Sequence, residues 1–286
     1  MTIAVSAKFP WDNLNKLFPV KAKGGEGIVL ISDCRITQKL GSRYFCKSDM
    51  GTKIFQLGTD VAAVYAGISS IGEKCIDELR YALARQQPGS ANSIKTAQKV
   101  FQNVYTHNLA LIKLKPQEAP LYFMIGACSK HGKAELYRSS YNSDFALEHI
   151  VGLNVIAWTT TKNMFNNLMN RELGHQAKLA KYQYSHLKNL PEFQKYDTQT
   201  SINIEQLGIL MVSVLTRVIE FSQDETVGGK VQCVLITRNG VITPIMSYTT
   251  NGTNQGAEWI QATAEQTRLE TETGISNVFG FYDFSE

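Results

Sequence analysis

The sequence predicts an α+β chain in which antiparallel sheets are covered by helices, on three observations. Between Gly27 and Gly67 lie short apolar runs (Gly27-Ile-Val-Leu-Ile, Ile54-Phe-Gln-Leu and Val61-Ala-Ala-Val-Tyr) separated by polar or glycine-containing breaks. Runs of that length and bounding read as neighbouring strands of one sheet. After Gly67 the period changes to that of a helix, with Ile68, Ile71, Cys75, Ile76, Leu79 and Leu83 on one face. Near the far end, Arg238-Asn239-Gly240 between two apolar runs is a strong hairpin signal.

Taken in order, the elements begin with a strand from Thr2 to Ala7, which places the chain terminus at the sheet edge. Residues 8–26 read as a long loop, broken by Pro10, Pro19 and Gly24-Gly25. Trp11, Leu14, Leu17 and Phe18 within it mark one short amphipathic turn, equally suited to a partner contact and to its own core. The helix after Gly67 stops at Gln87-Pro88-Gly89, and a second runs from about Ser93 to Leu114. Pro120 to Tyr137 reads as a hairpin with its polar tip at Ser129-Lys130-His131-Gly132. After the segment Glu148–Trp158 comes a long helical region from about Lys162 to Leu190, with Gly174 as a candidate break and Pro191 as its stop. A further helix spans about Ile204 to Ser222, and the final hairpin covers Val231–Ile242. Beyond residue 246 comes a polar extension with a candidate helix from Ala257 to about Glu272. Its aromatic end (Phe279, Phe281, Tyr282, Phe284) either folds back or docks on a neighbouring subunit.

Composition narrows the function classes. With 286 residues, 43% hydrophobic and 19% charged, the chain holds enough apolar sequence for a sizeable core. A net charge of +4 with scattered Lys and Arg points to neither nucleic acid nor a membrane surface. No apolar run reaches the roughly 18 residues of a membrane span, and no charged and apolar leader opens the sequence, so a cytoplasmic protein is expected. The five cysteines are widely spaced without a CxxC and read as reduced thiols. His175 and His186 lack the four-residue spacing of a zinc helix, so neither metal nor cofactor is expected.

The chemistry rests on Thr2, Asp33 and Lys53. A carboxylate and an ammonium at the ends of buried strands are costly unless paired, so the structural reading is a strand-end salt bridge. The functional reading starts from removal of Met1, which a small second residue permits. The α-amine then exposed on Thr2 has an ordinary pKa of about 7.7–8.0 and can accept the proton of its own hydroxyl. A nearby ammonium would hold the amine's pKa down, and a carboxylate would orient that ammonium. Thr2, Lys53 and Asp33 are the residue types such a site needs.

The ordered set Thr2-Ile-Ala-Val, Gly-Ile-Val-Leu-Ile-Ser-Asp33-x-Arg35-x-Thr37, Lys53-Ile and Ala66-Gly67 resembles the opening third of proteasome β-type subunits. Those are N-terminal-nucleophile (Ntn) hydrolases, with bacterial HslV-type and Anbu-type relatives. The resemblance covers roughly residues 2–7, 27–157 and 204–245. It implies a four-layer αββα sandwich, two antiparallel sheets flanked by helices, over residues 1–246, with insertions at about 8–26 and 162–203. Residues 247–286 are then a C-terminal extension and a place for oligomer contact. It implies a threonine protease with Thr2 as nucleophile, Lys53 as the amine's electrostatic partner, Asp33 orienting Lys53, and the Gly67 N–H as oxyanion donor. Asp224 matches the aspartate of the family's Asp-x-x-Ser-Gly-Gly motif, with Gly228-Gly229 as its glycines, and would hold the terminus. Its implied partners are a polypeptide substrate, a homo-oligomeric ring and an ATP-dependent unfoldase. Two departures stand out: Val227 occupies the motif's serine position, and Gly152-Leu153-Asn154 stands where a Gly-Ser-Gly turn near the nucleophile belongs. They leave two other readings open, a non-catalytic ring subunit or binding module of the same fold, and an Ntn amidase acting on a non-peptide amide.

Overall fold

A computed structural model describes residues 2–11, 14–18, 21–40, 43–85, 90–158, 162–188, 201–242, 245–247 and 258–260. Its first half runs β1 (Thr2–Phe9), α1 (Leu14–Leu17), β2 (Lys21–Ala22), β3 (Gly27–Asp33), β4 (Ile36–Leu40), β5 (Arg43–Ser48), β6 (Ile54–Gln56), β7 (Val61–Gly67), α2 (Ser69–Ala84) and α3 (Ser90–Ile112). Then follow β8 (Leu121–Cys128), β9 (Ala134–Ser140), β10 (Glu148–Ile150), β11 (Leu153–Trp158), α4 (Lys162–Lys188), β12 (Ser201–Ile202), α5 (Ile204–Ser222), β13 (Val231–Thr237), β14 (Gly240–Ile242), β15 (Ile245–Ser247) and β16 (Glu258–Ile260). The chain is therefore α+β.

Two five-stranded sheets carry the architecture, in the orders β11-β1-β3-β13-β14 and β10-β9-β8-β7-β6. All pairings within them are antiparallel. The apolar runs between Gly27 and Gly67 thus do not join one sheet: β3 lies in the first, while β6 and β7 pair with each other in the second. The polar excursion between them folds as a separate β4–β5 ribbon, and the chain passes from one sheet to the other across it. Nor is β1 at an edge, since it runs between β11 and β3.

Side-chain alternation along each strand sorts the residues into three clusters. Ala4, Leu30, Val64, Ala66, Met124 and Val234 are buried in the cluster shared by the two sheets. Ile3, Val5 and Ile31, on the opposite face of the first sheet, are buried with Phe165 and Met169 of α4 and with Leu207, Met211 and Leu215 of α5. Tyr65 and Phe123, on the outer face of the second sheet, are buried with Ile71 and Ile76 of α2 and Phe101 of α3. Every residue of β3 is buried, as expected of a strand covered on both faces. α5 is fixed at its start by a capping box, in which Gln206 N donates to Asn203 Oδ1 (2.8 Å) and Asn203 N to Gln206 Oε1 (3.0 Å).

Phe101 and Phe123 stack at 3.9 Å between ring centroids, and both are fully buried. Phe101→Ala is expected to cost about 3–5 kcal/mol in urea unfolding, the range for emptying a packed aromatic site. A loss under about 1 kcal/mol would mean that α3 does not close over this sheet as described.

Several local expectations change. The apolar residues of the 8–26 segment serve the chain's own core: Trp11, Leu14 and Phe18 are buried beside α4 and α5, and Leu14–Leu17 form α1. α4 runs through Gly174 without a break. Glu258–Ile260, where the candidate helix at 257–272 was to begin, instead pair antiparallel with Ile245–Ser247. The rest of that helix and the aromatic end lie outside the described residues.

Candidate functional site

Asp33 is the last residue of β3, and it is fully buried. Its carboxylate gathers donors from four segments. Lys53 Nζ donates to Oδ2 at 2.9 Å, Ile3 N to Oδ1 at 2.9 Å, and Arg35 N and Gly228 N to Oδ2 at 3.3 Å each. The Ile3 N–H belongs to the peptide bond that joins Thr2 to Ile3, so Asp33 is tied directly to the first residues of the chain. Alternation along β1 puts Thr2 on the face of Ala4, toward the second sheet. Lys53 arrives from that second sheet, one residue before β6. Thr2, Asp33 and Lys53 are all buried, at 3%, 0% and 3% exposure.

A buried ion pair of this kind stands only if its remaining hydrogen-bonding capacity is met. Here the carboxylate takes three backbone N–H groups besides the ammonium. The backbone of Lys53 is held as well, because Gln232 Oε1 of β13 accepts from Lys53 N (3.0 Å) and Ile54 N (3.4 Å). Burial pulls the Lys53 ammonium below its usual pKa, while Asp33 opposes the shift and Arg35 adds to it. Cys34, next to Asp33, is buried too, and burial pushes its thiol up to about 12, with Asp33 reinforcing the shift. Such a thiol stays protonated and is no nucleophile.

Gly67 ends β7 with φ +125°. Tyr65 N donates to Lys53 O and Ile68 N to Pro120 O, which fixes the alternation of the ladder. The Gly67 N–H is thereby directed to the β6 side, at the end where Lys53 enters. An added Cβ would meet Pro120 O at 2.0 Å, so only glycine fits.

Asp224 is arranged differently. Its Oδ1 accepts from Thr226 N at 2.9 Å and from the Thr226 hydroxyl, which closes its own turn after α5. The link from this turn to Asp33 is made by the Gly228 N–H. Val227, at the serine position, is buried in the cluster under α4 and α5.

One sequence expectation is overturned by register. Gly152-Leu153-Asn154 does not adjoin Thr2: Leu153 pairs with Ala7 and Asn154 with Ser6, while Trp158 pairs with Thr2. Gly152 O accepts from Lys8 N, six residues along β1 from Thr2, a span of about 20 Å. Thr159-Thr160-Thr161 follows Trp158 in sequence and lies outside the described residues. The pointer to this was the start of the next helix at residue 162, which sets where β11 must end.

Asp49 was missed by sequence reasoning. It binds Arg35 in a fork, with Nε to Oδ1 at 2.6 Å and Nη2 to Oδ2 at 3.2 Å. Elsewhere His131 is exposed at the tip between β8 and β9, and His175 is exposed on α4. Among the described residues no group of three or more His, Cys, Asp or Glu is placed to hold a metal ion. Among them, too, no helix is long and apolar enough to cross a membrane. In comparisons with known proteins, no family model matches the chain and no curated protein matches its sequence.

Proposed function

We propose that this chain is a threonine-type Ntn hydrolase of the proteasome β kind that cleaves peptide bonds with Thr2 once Met1 is removed. The observation that carries the reading is Asp33, whose two oxygens join the Lys53 ammonium to the peptide N–H that follows Thr2. The stacking of α4 and α5, two antiparallel sheets, and α2 and α3 supports assigning the chain to the four-layer αββα sandwich.

In this mechanism the Thr2 amine takes the proton of the Thr2 hydroxyl, and Oγ1 attacks the substrate carbonyl carbon. The resulting oxyanion is met by the Gly67 N–H, a donor of the kind that commonly contributes about 10²–10³ in rate. Collapse breaks the C–N bond, the leaving amine takes the proton held on the Thr2 amine, and an ester remains on Oγ1. Water then attacks that ester with the Thr2 amine as base and frees the acid. In its ammonium form Lys53, tied through Asp33 to the peptide after Thr2, favours the neutral form of the amine. Assembly into a homo-oligomeric ring in the cytoplasm, fed by an unfoldase, belongs to the same proposal.

Two observations favour a second reading, a non-catalytic subunit of the same fold. Val227 buries an apolar side chain where a hydroxyl is wanted, and Thr2 is itself buried. The test is the intact mass of the purified protein before and after a threonine-directed β-lactone. Loss of Met1 with a single adduct on Thr2, absent in a folded Thr2→Ala variant, is the expected result. Retained Met1, or a free Thr2 that takes no adduct, would hand the case to the non-catalytic reading.

A further inference from the structure

Arg35 is the part of the Asp33-x-Arg35 motif to which the mechanism above gives no task. Its side chain is mostly buried, and its fork-shaped pairing with Asp49 is accompanied by Nη1 donating to Glu225 O at 2.9 Å and to Val227 O at 3.5 Å. Its backbone N–H donates to Gly228 O at 2.9 Å as well as to Asp33 Oδ2. Gly228 lies against the guanidinium so closely that a Cβ there would meet Arg35 Cζ at 2.8 Å. Gly229 lies equally close to Asp49, where a Cβ would meet the backbone oxygen at 2.5 Å, and Lys230 N donates to that same Asp49 O.

The segments joined here have one thing in common. Arg35 immediately precedes β4 and Asp49 immediately follows β5, so the fork closes the base of the β4–β5 ribbon. Among the described residues β4 and β5 pair only with each other. The same guanidinium seizes the two carbonyls of the turn whose next N–H, that of Gly228, reaches Asp33. We propose that Arg35 is a positioning residue of the candidate site: it locks the 225–228 turn onto the base of the ribbon, which delivers two backbone donors to the carboxylate that holds Lys53.

A planar fork with five donors in fixed geometry can hold a carboxylate on one side and two carbonyls on the other; an ammonium cannot. Arg35→Lys therefore keeps the charge and loses the lock. Asp33 then gives up the Arg35 and Gly228 donors, its charge is spent more fully on Lys53, and water gains access. Both changes raise the Lys53 pKa. The charged or titratable neighbours that bear on Lys53 include Asp33, Cys34 and Arg35, joined in the proposed mechanism by the Thr2 amine once Met1 is removed. The chemical consequence at Thr2 rests on the proposed function; the effect on Lys53 does not.

The experiment follows the Lys53 titration by ¹³C NMR of the lysine Cε resonances, assigned with Lys53→Met, beside the rate of β-lactone labelling across pH. Arg35→Lys and Asp49→Asn are compared with the parent and with Arg80→Lys, whose ion pair with Asp77 lies on the surface of α2. The expected result is a rise of about half a unit or more in the Lys53 midpoint in the first two only. A parent that takes no label while the midpoint still moves would sink the Thr2 reading and leave Arg35 as the positioning residue. An unmoved midpoint in a folded Arg35→Lys, or in folded Asp49→Asn should the first variant not fold, would overturn the proposal whatever the label does.

Discussion

Asp33→Ala is expected to destabilise the chain by about 3–5 kcal/mol, the range for removing one partner of a buried ion pair. The loss is large because the carboxylate has four donors and no solvent to replace it. Removing it strands a buried ammonium and the N–H groups of Ile3 and Gly228 at once, while the Arg35 N–H keeps Gly228 O as its acceptor. Each buried donor left without an acceptor costs about 1–3 kcal/mol, and the costs do not add because the segments relax. Asp33→Asn should recover only part, since its NH₂ faces groups that are themselves donors. Asp33→Leu combined with Lys53→Met should be closer to the parent than Asp33→Ala alone, because apolar groups of similar volume often replace a buried pair without loss. Urea unfolding of the four proteins checks this, and a single variant within about 1 kcal/mol of the parent would remove Asp33 as the keystone.

The sign of the pH dependence follows from Lys53. Its pKa in the folded chain is lowered by burial, so between that value and the unfolded value near 10.5 the unfolded chain binds more protons. Stability therefore rises with pH through that window. In Asp33→Ala the group that opposes the shift is gone, the folded pKa falls further, and the window widens downward. The destabilisation by Asp33→Ala should consequently be larger at pH 7 than at pH 10. Equal values at both would place the unpaired ammonium in water.

What the sequence made legible was the set of residues that cannot be left alone. Asp33 and Lys53 each interrupt or adjoin an apolar run, and a charge in such a place must find its opposite. The salt bridge was thus readable before the site was. Strand partners were not. Period distinguishes strand from helix, but it does not say which sheet a strand buried on both faces will join, and β3 and β6 were read as neighbours for that reason. Register failed in the same way: a glycine at 152 looked like a turn beside the nucleophile, while the pairing of Trp158 with Thr2 puts it at the far end of β1. Asp49 carried no signal as a partner of Arg35, since the contact depends on how the β4–β5 ribbon folds back. Local chemistry was legible at the Arg238-Asn239 turn because neighbouring residues decide it there.

Gly67→Ala is expected to remove Thr2 labelling by about 10²–10³, the weight of an oxyanion donor, and to destabilise the chain as well. The backbone conformation at φ +125° is one that side chains rarely adopt, at a cost of about 1–3 kcal/mol. The space is closed too, since the new Cβ would lie 2.0 Å from Pro120 O, 2.9 Å from Pro120 C and 3.0 Å from Leu121 Cα. All three are backbone atoms of the chain entering β8, so nothing flexible can step aside. The end of β7 has to separate from β8, and the Gly67 N–H turns away from Lys53 as it does. Gly174→Ala is the control, a helical glycine with nothing within 4 Å of its added Cβ, and it should gain up to about 1 kcal/mol. If labelling falls in Gly67→Ala by no more than the fraction of unfolded protein, the N–H at this position is structural, and the oxyanion must be met from elsewhere. If Gly67→Ala melts and labels as the parent does, β7 does not end against Pro120 as described.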